Sequence, residues 1–141
     1  SIIRENGAVQ LPPQAVREYQ IAAEGRVYLF TGSRSTGGFC VTRKGLLAPS
    51  TLGHILTENP GLLDYTLECG AFLRYKGRSY CWTGITEDGR ITLSQAMMDL
   101  LKLAPGMELL SIRSSDIAFT MGAKGPLLEK ARNYDGVIPV F

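Results

Sequence analysis

The fold turns on residues 85–125, ITEDGRITLSQAMMDLLKLAPGMELLSIRSSDIAFTMGAKG, set against residues 3–45, IRENGAVQLPPQAVREYQIAAEGRVYLFTGSRSTGGFCVTRKG. Ile3, Glu5, Gly7, Leu11 and Ala22 coincide with Ile85, Glu87, Gly89, Leu93 and Ala104 at a constant offset of 82. With one-residue shifts in the loops, Gly25 meets Gly106, Leu29 meets Leu110, Phe39 meets Phe119, and Lys44-Gly45 meets Lys124-Gly125. An internal repeat must be found before individual elements are assigned, because missing it misassigns the whole architecture.

Each copy carries the same local signals. Asn6-Gly7 and Asp88-Gly89 are dipeptides that accept positive φ cheaply, and each leads into an alternating apolar run, Val9/Leu11 or Ile91/Leu93. A turn into a short strand is expected. Pro12-Pro13 and Ser94 then start short amphipathic helices, with Val16 and Tyr19, or Met97, Leu100 and Leu101, on the apolar face. Gly25 and Pro105-Gly106 stop them. Two β-rich runs follow in each copy, residues 26–31 with 39–42 and residues 107–112 with 117–121, each pair reading as a hairpin. Residues 33–38 give the first hairpin a long, glycine-rich tip, whereas Ser114-Ser115 makes the second tight.

Between the copies, residues 49–57 suit a helix capped by Ser50 or Thr51 and ended by Asn59-Pro60-Gly61. Tyr65, Leu67 and Cys69 alternate as in a strand, and residues 72–82 read as two strands joined at Lys76-Gly77-Arg78. Residues 126–132 suit a second trailing helix, and residues 136–141 an extended tail. The organisation expected is a first repeat with trailing helix over residues 1–58, connector strands over 59–84, a second repeat with trailing helix over 85–132, and a tail over 133–141. The expected core comprises Val9, Leu11, Tyr19, Ile21, Leu29, Ile91, Leu93, Leu101, Leu103, Leu110 and Phe119.

Composition narrows the function classes. The 141 residues are 45% hydrophobic and 20% charged, which suffices for a folded core and excludes a disordered linker. The longest uncharged stretch, residues 45–57, is too short to span a bilayer, so no membrane association is expected and a cytoplasmic location is the default. Cys40, Cys69 and Cys81 match no zinc or redox spacing and read as reduced core thiols. The one histidine, His54, has no partner in the sequence for nucleophilic work, and no phosphate loop or nucleophile elbow is present. No catalytic, cofactor or metal site is therefore expected.

The segment from Asp88 to Ile112, DGRITLSQAMMDLLKLAPGMELLSI, resembles the AbrB/SpoVT family of bacterial and archaeal transcriptional regulators, and ENGAVQLPPQAVREYQIAAEGRVYLF, from Glu5 to Phe30, resembles it less tightly. The resemblance implies a mainly β fold with short helices, a pseudo-symmetric double swapped-hairpin β-barrel in which two tandem copies interleave, with the long connector packed against it. It also implies binding to double-stranded DNA through arginines, whose planar fork meets phosphates or guanine edges. Position by position, the arginine after the turn glycine is Arg90 in the second copy and Ala8 in the first. The arginine near the helix start is Arg17 in the first copy and Met98 or Asp99 in the second. Residues 1–45 hold six basic against three acidic side chains, whereas residues 85–132 balance at six each, which makes the first copy the better phosphate-facing side. Arg4, Arg17, Arg34 and Arg90 are the expected DNA contacts. The hairpin carrying Arg74, Lys76 and Arg78 between Tyr75, Tyr80 and Trp82 reads more readily as a polar face over an aromatic core than as a base-stacking platform. A protein-interaction or oligomerisation module on the same fold, including association with a second copy, is the alternative.

Overall fold

Gly7 and Gly89 both sit in the left-handed region, at φ +84 and +86, and each closes a tight loop that feeds a three-residue strand. In the computed structural model, which describes residues 1–31 and 36–123, these strands are β1 (Ala8–Gln10) and β6 (Arg90–Thr92). They pair antiparallel with each other, Val9 opposite Ile91 at the centre. Flanking the ladder, Leu11 N–H donates to Gly89 O and Leu93 N–H donates to Gly7 O, both at 2.9 Å. Exchanging the copies by the offset of 82 converts one bond into the other. A Cβ on Gly7 would lie 2.1 Å from Leu93 O, so the bare glycine is what allows the strands this close.

The remaining described strands, β2 (Arg26–Thr31), β3 (Phe39–Thr42), β4 (Leu73–Tyr75), β5 (Arg78–Gly84), β7 (Leu110–Arg113) and β8 (Phe119–Gly122), form one six-stranded antiparallel sheet in the order β4-β5-β2-β3-β8-β7. The fold is thus mainly β with short helices. The strands lie in two sheets, and no closed barrel forms among the described residues. The two hairpins meet at β3–β8, where Cys40 opposes Thr120 between Phe39↔Met121 and Val41↔Phe119. Strand β5, from the connector, adds to the outer side of β2, whereas no described strand pairs with the outer side of β7.

The six-stranded sheet is buried on both faces. Val27, Leu29, Phe39, Val41, Cys81, Phe119 and Met121 point toward the small ladder and join Val9, Leu11, Ile91 and Leu93 in one apolar cluster. Tyr28, Phe30, Cys40 and Tyr80 point the other way, under the connector residues Leu47, Ile55, Leu56 and Leu62. Period-2 alternation therefore serves two cores at once. Tyr28 Oη donates to Leu62 O at 2.9 Å and Trp82 Nε1 to Leu67 O at 2.8 Å, pinning the connector to the sheet.

Helices α1 (Pro13–Tyr19) and α5 (Gln95–Leu101) follow β1 and β6. Pro13 opens α1, and Ser94 Oγ accepts from Met97 N–H to cap α5. Both stop well before the expected glycines. Gln20 and Lys102 adopt left-handed φ of 50° and 59°, and the following Ile21 and Leu103 donate N–H back to Val16 O and Met98 O. Burial of Ile21 and Leu103 anchors this C-terminal motif, in which an apolar residue beyond the cap holds the turn. Leu100, expected on the apolar face of α5, is exposed, and Met98 is buried in its place.

The connector departs most from expectation. Residues 49–57 are not one helix: α2 (Lys44–Leu47) precedes a turn, α3 covers His54–Glu58, and Pro60-Gly61 opens α4 (Pro60–Leu63) instead of ending a helix. Asn59 bridges the last two by donating from Nδ2 to Ile55 O. Tyr65, Leu67 and Cys69 lie in turns, not a strand, and Cys69 is exposed. The trailing helix of residues 126–132, the tail over 136–141 and residues 33–35 of the first hairpin tip fall outside the described residues.

The hairpins also correct the repeat alignment. Tyr28 pairs with Thr42 as Leu110 pairs with Gly122, and Leu29 with Val41 as Ser111 with Met121. Leu29 is thus equivalent to Ser111 at the original offset of 82, and the two-residue length difference falls wholly in the tips. A one-residue slip moves a side chain to the opposite face. Hence Leu110, expected in the core, is half-buried on the outer face, and Leu109 is buried in the cluster instead. Ser111 occupies the core position of Leu29 with its Oγ buried and unpartnered.

Two stability predictions follow from that register. Ser111→Ala removes an unpaired buried hydroxyl and should raise the unfolding free energy by about 1 kcal/mol; a lower denaturation midpoint would contradict the assignment. Leu93→Ala, at a site 1% exposed, should cost about 2–5 kcal/mol, and Leu110→Ala clearly less, as read from urea midpoints.

Candidate nucleic-acid interface

The ladder has an inner and an outer side. Val9 and Ile91 face the core, so Gln10, Arg90 and Thr92 face solvent. Gln10 lies directly opposite Arg90 in the register, and its Nε2 donates to Asp88 O at 2.6 Å. Arg4 N–H donates to Ala8 O and Gly7 N–H to Arg4 O, while Thr86 N–H donates to Arg90 O and Gly89 N–H to Thr86 O. The two loops share one hydrogen-bond pattern, Arg4 standing in the first where Thr86 stands in the second. Asn6 Oδ1 accepts from Ala8 N–H at 3.0 Å, and Thr86 Oγ1 from Arg90 N–H at 2.8 Å, so a short polar side chain stiffens each loop.

Arg4, Glu5, Asn6, Ala8, Gln10 and Arg90 line a groove of about 650 Å³ across this outer side. Arg4 and Arg90, from different copies and 86 positions apart in sequence, therefore open onto the same space. Both are exposed and neither makes an ion pair among the described residues. Glu5 also lines the groove, so its charge is mixed and its cationic character rests on two guanidinium groups against one carboxylate.

Arg17 is exposed on α1 but does not line this groove. Its neighbour Val16 packs over Gly89, where a Cβ would approach Val16 Cγ2 to 2.5 Å, so the first helix is seated on the second turn. The segments bearing Arg17 and Arg90 are brought together by that contact. Arg34 lies outside the described residues. Asn6 was marked in the sequence only as a turn residue and Gln10 not at all; the outward phase of Gln10, opposite to Val9, is the signal that marks it.

Other chemistry-bearing residues resolve as packing. Tyr80 is buried and Trp82 half-buried in the outer cluster, while Lys76 Nζ sits 5.3 Å from the Tyr75 ring and Arg78 Cζ 5.6 Å from that of Phe30. The basic hairpin is thus a polar face over aromatic packing. His54 is exposed at the start of α3, and no group of three or more His, Cys, Asp or Glu side chains suited to a metal occurs among the described residues. No described helix is long and apolar enough to cross a membrane. Cys40, Cys69 and Cys81 are free; the expectation of three core thiols holds for Cys40 and Cys81 and fails for Cys69.

Comparisons with protein-family models, with curated proteins and with solved structures return no match for this chain.

The thiols offer a check on both cores. Burial pushes the Cys81 thiol from its ordinary 9.0 up to about 12, with Cys69 adding a smaller push, and burial raises Cys40 as well. Thiol labelling of the native protein near pH 8 should modify Cys69 first and reach Cys40 and Cys81 only on unfolding. Because the folded Cys81 pKa is raised, its contribution to stability is intact below pH 9 and is lost as pH climbs toward 12, when the unfolded chain ionises first. Rapid labelling of all three thiols in the native state would contradict this burial.

Proposed function

We propose that the chain is a DNA-binding transcriptional regulator of the AbrB/SpoVT type, built from two tandem copies that interleave within one chain, and that it performs no catalysis. The observation that carries this reading is the meeting of Arg4 and Arg90, from different copies, on one solvent-facing groove beside Gln10. Two further facts support the interleaved arrangement: the reciprocal bonds Leu11 N–H to Gly89 O and Leu93 N–H to Gly7 O, and registers that are unchanged when the copies are exchanged. Guanidinium groups suit phosphate oxygens and guanine edges, while Gln10, whose Nε2 already donates to Asp88 O and Leu11 O, offers its Oε1 as an acceptor to a base-edge donor. Double-stranded DNA is the partner in this reading. Arg4 and Arg90 are its principal contacts, with Arg17 and Arg34 as further contacts.

A partner-docking role on the same fold is favoured by a different observation. The outer edge of β7 has no described pairing strand, and a groove beside it is lined by Phe30, Leu52, Ile112 and Ile117 together with Arg78 and Arg113.

A mobility-shift titration of duplex DNA at increasing salt tests the first reading. Affinity should fall steeply with salt, and Arg4→Ala and Arg90→Ala should each weaken binding and reduce the salt slope by about one if the contact is to phosphate. Stability should change by no more than about 0.5 kcal/mol, since both side chains are exposed. Undiminished binding by the Arg4→Ala/Arg90→Ala protein would overturn the proposed face. No shift at low salt, together with co-purification of a partner chain, would favour the docking role.

A further inference from the structure

Away from the ladder, on the opposite face of the six-stranded sheet, Tyr65 gathers charges the DNA reading does not use. Tyr65 is half-buried in the connector at a positive φ of 60°, a conformation that costs a bulky residue energy and that the surrounding packing must impose. Its ring stacks on Tyr28 at 5.7 Å and 22°, and meets Trp82 edge-on at 5.4 Å and 66°. Trp82 is held in turn by its bond to Leu67 O, and Tyr28 by its bond to Leu62 O. The aromatic platform is therefore fixed from several directions.

Two cations converge on it. Arg26 Cζ, at the start of β2, lies 4.7 Å from the Tyr65 centroid and 5.7 Å from that of Trp82. Lys44 Nζ, at the start of α2, lies 4.1 Å from the same Tyr65 centroid. Both charges approach the same ring, which places them within about 9 Å of each other. Neither makes an ion pair among the described residues. Of the carboxylates close by in sequence, Glu24 is paired with Arg43, and neither Glu24 nor Asp64 comes within ion-pair distance of Arg26 or Lys44 among the described residues. Glu24 Oε2 accepts from Arg43 Nη1 at 2.8 Å and from Gly45 N–H at 3.0 Å, and Asp64 Oδ1 accepts from the Thr66 hydroxyl at 2.7 Å. A ring quadrupole compensates a cation only weakly where solvent has access, so the pair retains a demand for negative charge. Arg26 is exposed and Lys44 partly so, which leaves both accessible.

We propose that Arg26 and Lys44, seated on Tyr65, form a binding site for the phosphate group of a small phosphorylated molecule. The guanidinium fork is matched to two phosphate oxygens, and the compact ammonium neutralises a third. The site shares no side chain with the Arg4–Arg90 groove, so the two readings stand or fall separately.

Trp82 is the sole tryptophan of the chain and reports on Arg26 directly. Titration with pyrophosphate at constant ionic strength in chloride should give a saturable change in its fluorescence. Arg26→Gln and Lys44→Gln should each weaken that binding roughly tenfold, the scale of one lost charge-assisted hydrogen bond. Arg4→Ala/Arg90→Ala should leave it unchanged. A response that does not saturate, that is undiminished from wild type in both glutamine variants, or that appears with duplex DNA and not with pyrophosphate would overturn the proposal. If either glutamine variant fails to unfold cooperatively, the wild-type protein decides. Pyrophosphate should shift the Trp82 indole and Arg26 guanidinium signals in a proton–nitrogen spectrum, and the absence of shifts at both would overturn the site.

Discussion

Everything in this structure depends on the pair of backbone bonds that cross between the copies, Leu11 N–H to Gly89 O and Leu93 N–H to Gly7 O. A three-residue strand such as Ala8–Gln10 has no stability alone, because a short ladder cannot offset the entropy of ordering it. Pairing it with its counterpart closes a contact between residues 82 positions apart and sets Val9 and Ile91 back to back under the six-stranded sheet. The glycines are part of the same constraint. With a side chain at position 7 the carbonyl of Leu93 could not approach, and the ladder and the core beneath it would part together.

The second constraint is that the large sheet must hide two faces. The repeats cover the inner one, with α1 and α5 adding Ala15, Tyr19, Met97, Met98 and Leu101 to the cluster. The outer face is covered by the connector, and this is why an intervening segment of unexpectedly short helices is needed. Tyr28 and Trp82 are aromatic and polar at once, so they fill the outer layer while their Oη and Nε1 satisfy connector carbonyls. Beyond the connector the sheet runs on to β7, whose outer side pairs with no described strand, and there the groove bounded by Leu52, Ile112 and Ile117 remains.

The surface chemistry inherits its positions from these two constraints. Arg90 faces outward because Ile91 faces inward, and Arg4 joins it because the loop before β1 folds against the start of the same strand. On the far side, Arg26 and Lys44 meet over Tyr65 because β2 and α2 are both packed against the turn that follows α4. Chain neighbours do not form either cluster; sheet register and connector packing do.

Much of this was legible in the amino-acid sequence, for reasons that are local. Asn6-Gly7 and Asp88-Gly89 declare turns by conformational preference, Ser94 declares a cap, alternation marks β1 and β6, and runs of β-branched and aromatic residues mark β2 and β3. The outcome in the connector shows where local signals end. Tyr65, Leu67 and Cys69 alternate as a strand would, yet Tyr65 takes a left-handed φ, since docking its ring on Tyr28 and Trp82 outweighs its own preference. Leu110 and Ser111 show the same at the level of one residue. Both suit a strand, and only pairing with β8 decides which of them faces the core, because a slip of one position exchanges inside for outside at no local cost. The arginines of the groove were visible as types in the sequence. Their convergence, and the exclusion of Arg17 from it, was decided by tertiary structure alone, since the distance between residues 4 and 90 is set by a ladder that neither segment forms by itself.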